Sequence, residues 1–132
     1  MRYLLLIYGP PFDPSSVTEA DQAASMGEWA EFTASLRRQG AMEAGEALTG
    51  PETATTIRVR AGQTLTTDGP FAETAEVLGG YYVLNVRDLD QAIAIAAACP
   101  AVRGGSIELR PILDFGEEYD RAVAERVKAG QA

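Results

Sequence analysis

With 132 residues, 46% hydrophobic and 23% charged, the chain has the composition of one ordinary globular domain, long enough to bury a core. Its 11 basic residues against 19 acidic ones leave a formal net charge of −8, which argues against binding to nucleic acid or to an anionic membrane surface. The complete lack of histidine removes His general bases, Ser-His-Asp and Cys-His machinery and His-ligated metals.

Residues 2–8 predict a short buried strand, closed by Gly9-Pro10-Pro11. The run Tyr3 to Tyr8 is too short to span a bilayer and has only Arg2 ahead of it, unlike a secretory signal, so the expected location is cytoplasmic. Ser16 with Glu19 three residues on has capping-box spacing and opens a helix that runs to about Gln39, where Gly40 supplies a left-handed stop. Met26, Trp29, Ala30, Phe32, Thr33 and Leu36 form its apolar stripe. Glu28, Glu31, Arg37 and Arg38 fall mostly on the wet side. Residues 41–48 suit a strand.

Ile57 and Val59 alternate with Arg58 and Arg60, Ala61-Gly62 make a turn and Leu65 lies on the return, which predicts a hairpin ended by Asp68-Gly69-Pro70. Residues 77–86 predict a strand with Tyr82, Leu84 and Val86 on one face and Tyr81, Val83 and Asn85 on the other. Asp88 caps an Ala-rich helix, with Gln91 at its third position, and Pro100 stops it. Gly104-Gly105 lead into a strand with Ile107 and Leu109 inward. A last amphipathic helix, about 116–129, carries Tyr119, Val123 and Val127 on one stripe.

Strand, helix, strands, helix, strand is the split βαβ pattern of the ferredoxin-like α+β class, with an antiparallel sheet. The expected organisation is a single domain over 1–132, with its core in 2–112. Helices on one face leave the other face bare. That bare face carries apolar side chains, so a homodimer packed sheet to sheet is the expected cover.

Asp68 has two readings. It is a turn residue beside Gly69 and Pro70, or a carboxylate at a cavity mouth that acts as a general base or holds a ligand donor. Trp29 and Phe32 are core aromatics or the stacking wall of a pocket. Tyr8 ends the first strand. Tyr81 and Tyr82 point to opposite faces, so at most one of them lines a cavity. Glu73 and Glu76 share a side if the segment between them makes a helical turn, and are then an acid–base pair, a cation site or two solvated carboxylates. Arg103 and Arg110 are carboxylate binders or rim ion pairs. Gly79-Gly80 and Gly104-Gly105 lack phosphate-loop spacing and mark bulges or close backbone approach. Cys99, alone, reads as a small core residue.

Three blocks in order, "MRYLLLIYG", "TDGPFAETAEVLGGYY" and "ACPAVRGGSIELRPI", resemble the YCII-related superfamily, and more narrowly the branch named after its Asp-Gly-Pro-Phe motif. The resemblance covers roughly residues 2–112. It implies a dimeric α/β barrel, no known cofactor and no metal, and a regulatory or stress context linked to extracytoplasmic-function sigma factors. Some relatives in the superfamily are small enzymes, including a dehydrochlorinase, with a His–Asp pair in the cavity. Counting back from Gly40 puts that His position near Trp29, while the Asp survives as Asp68. The lysine common after "AET" is here Ala75.

The leading expectation is a protein that binds a small aromatic or acidic ligand, lined by Tyr8, Trp29, Phe32, Phe71, Tyr82 and Arg103. The alternatives are a cofactor-independent enzyme of the lyase or isomerase kind with Asp68 as general acid or base, and a non-catalytic dimeric interaction protein.

Overall fold

The computed structural model describes residues 1–131. Its elements are β1 (Arg2–Gly9), α1 (Glu19–Arg38), β2 (Met42–Ala47), β3 (Thr55–Arg60), β4 (Gln63–Asp68), β5 (Val77–Asn85), α2 (Leu89–Ala98), β6 (Ser106–Pro111) and α3 (Glu117–Gly130), with short 3₁₀ turns at Pro14–Ser16, Pro51–Thr53 and Pro100–Arg103. Four strands form one sheet in the order β2-β5-β1-β6, every neighbour antiparallel. With the β3–β4 hairpin set aside, that is the ferredoxin-like order, α+β in class.

Alternation along the strands decides the two faces. Tyr3 and Leu5 of β1 lie opposite Leu84 and Tyr82 of β5, and Leu5 also opposite Leu109 of β6. These side chains meet Phe32 and Leu36 of α1 and Ala92, Ile95 and Ala96 of α2 in one core, in which Leu5 and Leu84 are fully buried. Tyr82, Leu84 and Val86 are buried as the sequence predicts, and so is Cys99. The other face, with Leu4, Leu6, Tyr81 and Val83, carries no helix of the core, and these four side chains are half-buried.

α1 starts later than the first capping signal. Thr18 is its N-cap: its hydroxyl accepts from the Asp21 N–H while the Asp21 carboxylate accepts from the Thr18 N–H, each at 3.0 Å. Ser16 is already used, its hydroxyl donating to the Asp13 carbonyl at 2.8 Å within the Pro14–Ser16 turn. At the other end Gly40 has φ +67, the left-handed stop. Of the predicted stripe, Phe32 and Leu36 are buried and Trp29 packs against them. Met26 and Ala30 are exposed, Ala30 because two helical residues turn it to the side of α1 opposite Phe32.

Two elements stand apart. β3 and β4 pair only with each other, through a turn in which both Ala61 (φ 50) and Gly62 (φ 77) take left-handed angles. Ile57, Val59 and Leu65 on this arm are exposed. α3 likewise packs only slightly on the rest, and its stripe Tyr119, Val123 and Val127 is exposed. No helix among the described residues is long and apolar enough to cross a membrane.

Candidate functional site

A cleft of about 1060 Å³ opens where the C-terminal end of β1, the start of β5 and the end of β2 pass under α1. Its floor is glycine: Gly45, Gly79, Gly80, Gly104 and Gly105 all border it. The glycines let backbones come close. A Cβ on Gly80 would stand 2.8 Å from the Glu46 carbonyl oxygen, and one on Gly105 would collide with the Tyr8 carbonyl oxygen. Gly79 lies where the β1–β5 register shifts, between Ile7 and Tyr8. Both glycine pairs thus mark the bulge or close approach expected of them.

The roof is one row of α1. Ser25, Trp29, Thr33 and Arg37, each four residues after the last, all line the cleft. The Thr33 and Tyr82 hydroxyls share a hydrogen bond of 2.7 Å, which satisfies the phenol at the edge of the core. Phe32 stands behind this wall, edge-on to Trp29 at 6.1 Å and to Tyr82 at 5.5 Å between ring centres. Such edge-to-face contacts favour defined ring orientations and fix the indole in place. Ile7, Leu48, Val77 and Leu78 complete mostly apolar walls.

The candidates from the sequence divide into two groups. Trp29 and Tyr82 line the cleft, and Phe32 supports both. Tyr8 borders it too. Alternation along β1 sends the Tyr8 ring to the face of Leu4 and Leu6, so its share of the wall is backbone. Tyr82 lines the cleft and Tyr81 does not, as their opposite faces require.

Asp68, Phe71 and Arg103 lie elsewhere. Asp68 is the exposed last residue of β4, opposite Thr55, at the base of the arm. The turn after it is held by the Gly69 N–H on the Ala54 carbonyl at 2.7 Å and by the Thr56 hydroxyl on the Gly69 carbonyl at 2.8 Å. Phe71 is 81% exposed. Arg103 pairs with Glu28 beside a shallower depression between α1 and α2.

Residues 71–76 are bends and irregular chain, not the helical turn that would put Glu73 and Glu76 together. Glu76 accepts instead from the Ser106 hydroxyl at 2.7 Å. Among the described residues no three His, Cys, Asp or Glu converge as metal ligands. Cys99 lies deep in the core, where burial pushes its thiol up from the ordinary range.

Arg37 and Ser25 are members of the site that the sequence leaves unmarked. The signal was the four-residue spacing from Trp29, which places Ser25, Thr33 and Arg37 on the same row.

Residues 1–116 match the family described as YCII-related domain. Over 116 residues the chain is 31% identical to an uncharacterised protein of Rhizobium meliloti (strain 1021), a match that covers 85% of this chain and 92% of that one. These matches show that the chain belongs to the YCII-related family.

Proposed function

We propose that this protein binds a small flat ligand in the cleft under α1, with Trp29 as the stacking surface. The observation that carries this reading is the half-buried Trp29 on an apolar cleft wall, held edge-on by Phe32 and facing a floor of glycine. An indole there offers a stacking face and one N–H donor, but no acid–base group. Within one chain the Asp68 carboxylate lies off the cleft, so acid–base catalysis by it would require the residue from a second copy. The finer setting in this reading is that of the Asp-Gly-Pro-Phe branch: a cytoplasmic homodimer in a regulatory or stress context linked to a sigma factor. The half-buried apolar face of Leu4, Leu6, Tyr81 and Val83 supports the dimer.

The test uses the chain's single tryptophan as reporter. Titration with phenols, quinones and aromatic acids should give saturable quenching for at least one class. A Cβ on Gly79 would meet no atom within 4 Å, so Gly79→Leu should fill the cleft without disturbing the fold and abolish the quenching. Silence across the panel would overturn the ligand reading and favour an interaction protein.

A further inference from the structure

The cleft is bordered by a cation, Arg37, that has no ion-pair partner among the described residues. Arg2, Arg38, Arg103 and Arg110 each form an ion pair, with Glu43, Glu31, Glu28 and Glu108 respectively. Arg37 forms none among the described residues, and neither do Arg58, Arg60, Arg87, Arg121, Arg126 and Lys128; of these Arg37 is the one that borders the cleft. Its neighbour Arg38 takes Glu31 on the outer side of α1, while Arg37 borders the cleft. Glu46 also borders the cleft, but it is paired across the sheet with Tyr81, and directly opposed residues share a face. Its carboxylate therefore lies with Tyr81 on the side away from the helices. Arg37 is left as the one charged side chain directed to the cleft.

Its position relative to Trp29 sets a length. Eight residues of helix separate their Cα atoms by about 12 Å. Side chains on a helix lean toward its N-terminus, and the Trp29 indole does so as well as Arg37, so it is the greater length of the arginine side chain that lets its guanidinium extend over Thr33 and take up part of that gap. What fits between them is a ring with an acidic group attached directly or through a short arm. The planar guanidinium fork matches a carboxylate in two parallel hydrogen bonds. One cation, with no second arginine or lysine beside it, suits a singly charged carboxylate better than a doubly charged phosphate.

Building on the cleft reading, we infer that the ligand class is the planar aromatic carboxylates, with the ring on Trp29 and the carboxylate on Arg37.

Calorimetry on the full chain with three acid and amide pairs tests this: benzoate and benzamide, cinnamate and cinnamamide, 2-naphthoate and 2-naphthamide. Each pair keeps the ring and changes only the charge. At least one acid should bind about tenfold more tightly than its amide, a ratio that shrinks as salt is added. Arg37→Gln should erase the preference by weakening the acid and leaving the amide unchanged. Arg38→Gln should keep it. Equal binding of acid and amide, or a preference that survives Arg37→Gln, overturns the carboxylate assignment and leaves the cleft reading standing; Arg37 would then serve only to complement the helix C-terminus. No binding by any of the six, together with a silent fluorescence panel, overturns both. An unchanged melting temperature in Arg37→Gln separates a lost anchor from a lost fold.

Discussion

Gly105 shows how a single missing side chain shapes the cleft. Its backbone passes so close to β1 that an added Cβ would meet the Tyr8 carbonyl oxygen and stand 3.0 Å from Gly9 Cα. Those are backbone atoms, which cannot rotate away. Gly105→Ala should therefore force β6 off β1 and destabilise the protein by about 1–3 kcal/mol, read by urea denaturation. A cost below about 0.5 kcal/mol would show that the strand ends yield easily. The constraint was visible in the sequence as a glycine pair before a strand. Arg37 was not visible in the same way. Helical periodicity sets Arg37 on the row of Trp29 and Thr33, but its charge places it among the wet-side residues. Periodicity says nothing of where the sheet beneath the helix ends. Here the sheet beneath is floored by glycines on β2 and β5 and just before β6, and the wet side becomes the roof of a cleft. Asp68 and Phe71 show the converse. The motif that contains them is prominent in the sequence, but the hairpin before it carries both residues clear of the cleft within one chain.

At the scale of the element, α1 is capped at Thr18 and not at the Ser16 signal expected from the sequence, because a second pair overlaps that signal. Ser16–Glu19 and Thr18–Asp21 both have capping spacing. Asp13 decides between them: its side chain caps the Pro14–Ser16 turn, and Ser16 is spent in closing that turn, so Thr18 is the first residue free to cap α1. The choice has a pH signature. The Thr18 N–H, and then its hydroxyl, hold the Asp21 carboxyl below its ordinary 3.8. A depressed folded value means that the unfolded chain takes up the proton first as pH falls. The stabilisation is therefore whole above 3.8 and is lost as pH drops through the lower folded value. Wild type should exceed Asp21→Asn in thermal stability near neutral pH, and the difference should close on acidification through that window. A difference that does not change with pH would mean the carboxylate is not part of the cap. The strands were easier to read. Alternation in 77–86 gave the faces of Tyr81 and Tyr82 directly, because a strand allows each residue only two directions. The stretch 71–76 has no periodicity to read, and Glu76 goes to Ser106 on β6 instead of pairing with Glu73.

For the whole molecule, the order of elements was legible, and what covers their outer surfaces was not, because no pattern within one chain says what lies against it. Three apolar surfaces remain open or half-open: the sheet face of Leu4, Leu6, Tyr81 and Val83, the arm with Ile57, Val59 and Leu65, and the α3 stripe of Tyr119, Val123 and Val127. In the pairing of β1 with β5, Leu6 lies opposite Tyr81 and Leu4 opposite Val83, an apolar strip flanked by Glu46 on β2 and by Glu108 and Arg110 on β6. Two such faces packed together would bury side chains that a lone chain leaves half in water, at about 25 cal/mol for each Å² of apolar surface removed. A stable two-fold contact needs on the order of 1600 Å² in total, which a four-stranded sheet can supply. Light scattering should therefore give twice the 14.1 kDa chain mass at micromolar concentration. Leu6→Glu places a charge at the middle of that face while leaving the helix-side core untouched, since Leu6 points away from Leu5 and Tyr82. It should yield a folded species of single chain mass with an unchanged far-ultraviolet circular dichroism spectrum. A dimer that survives Leu6→Glu would transfer the contact to the arm and α3, and a wild-type monomer would overturn the sheet-to-sheet arrangement. The outcome also bears on Asp68: only if two chains pair can a second copy present that carboxylate to a cleft it does not reach in its own chain.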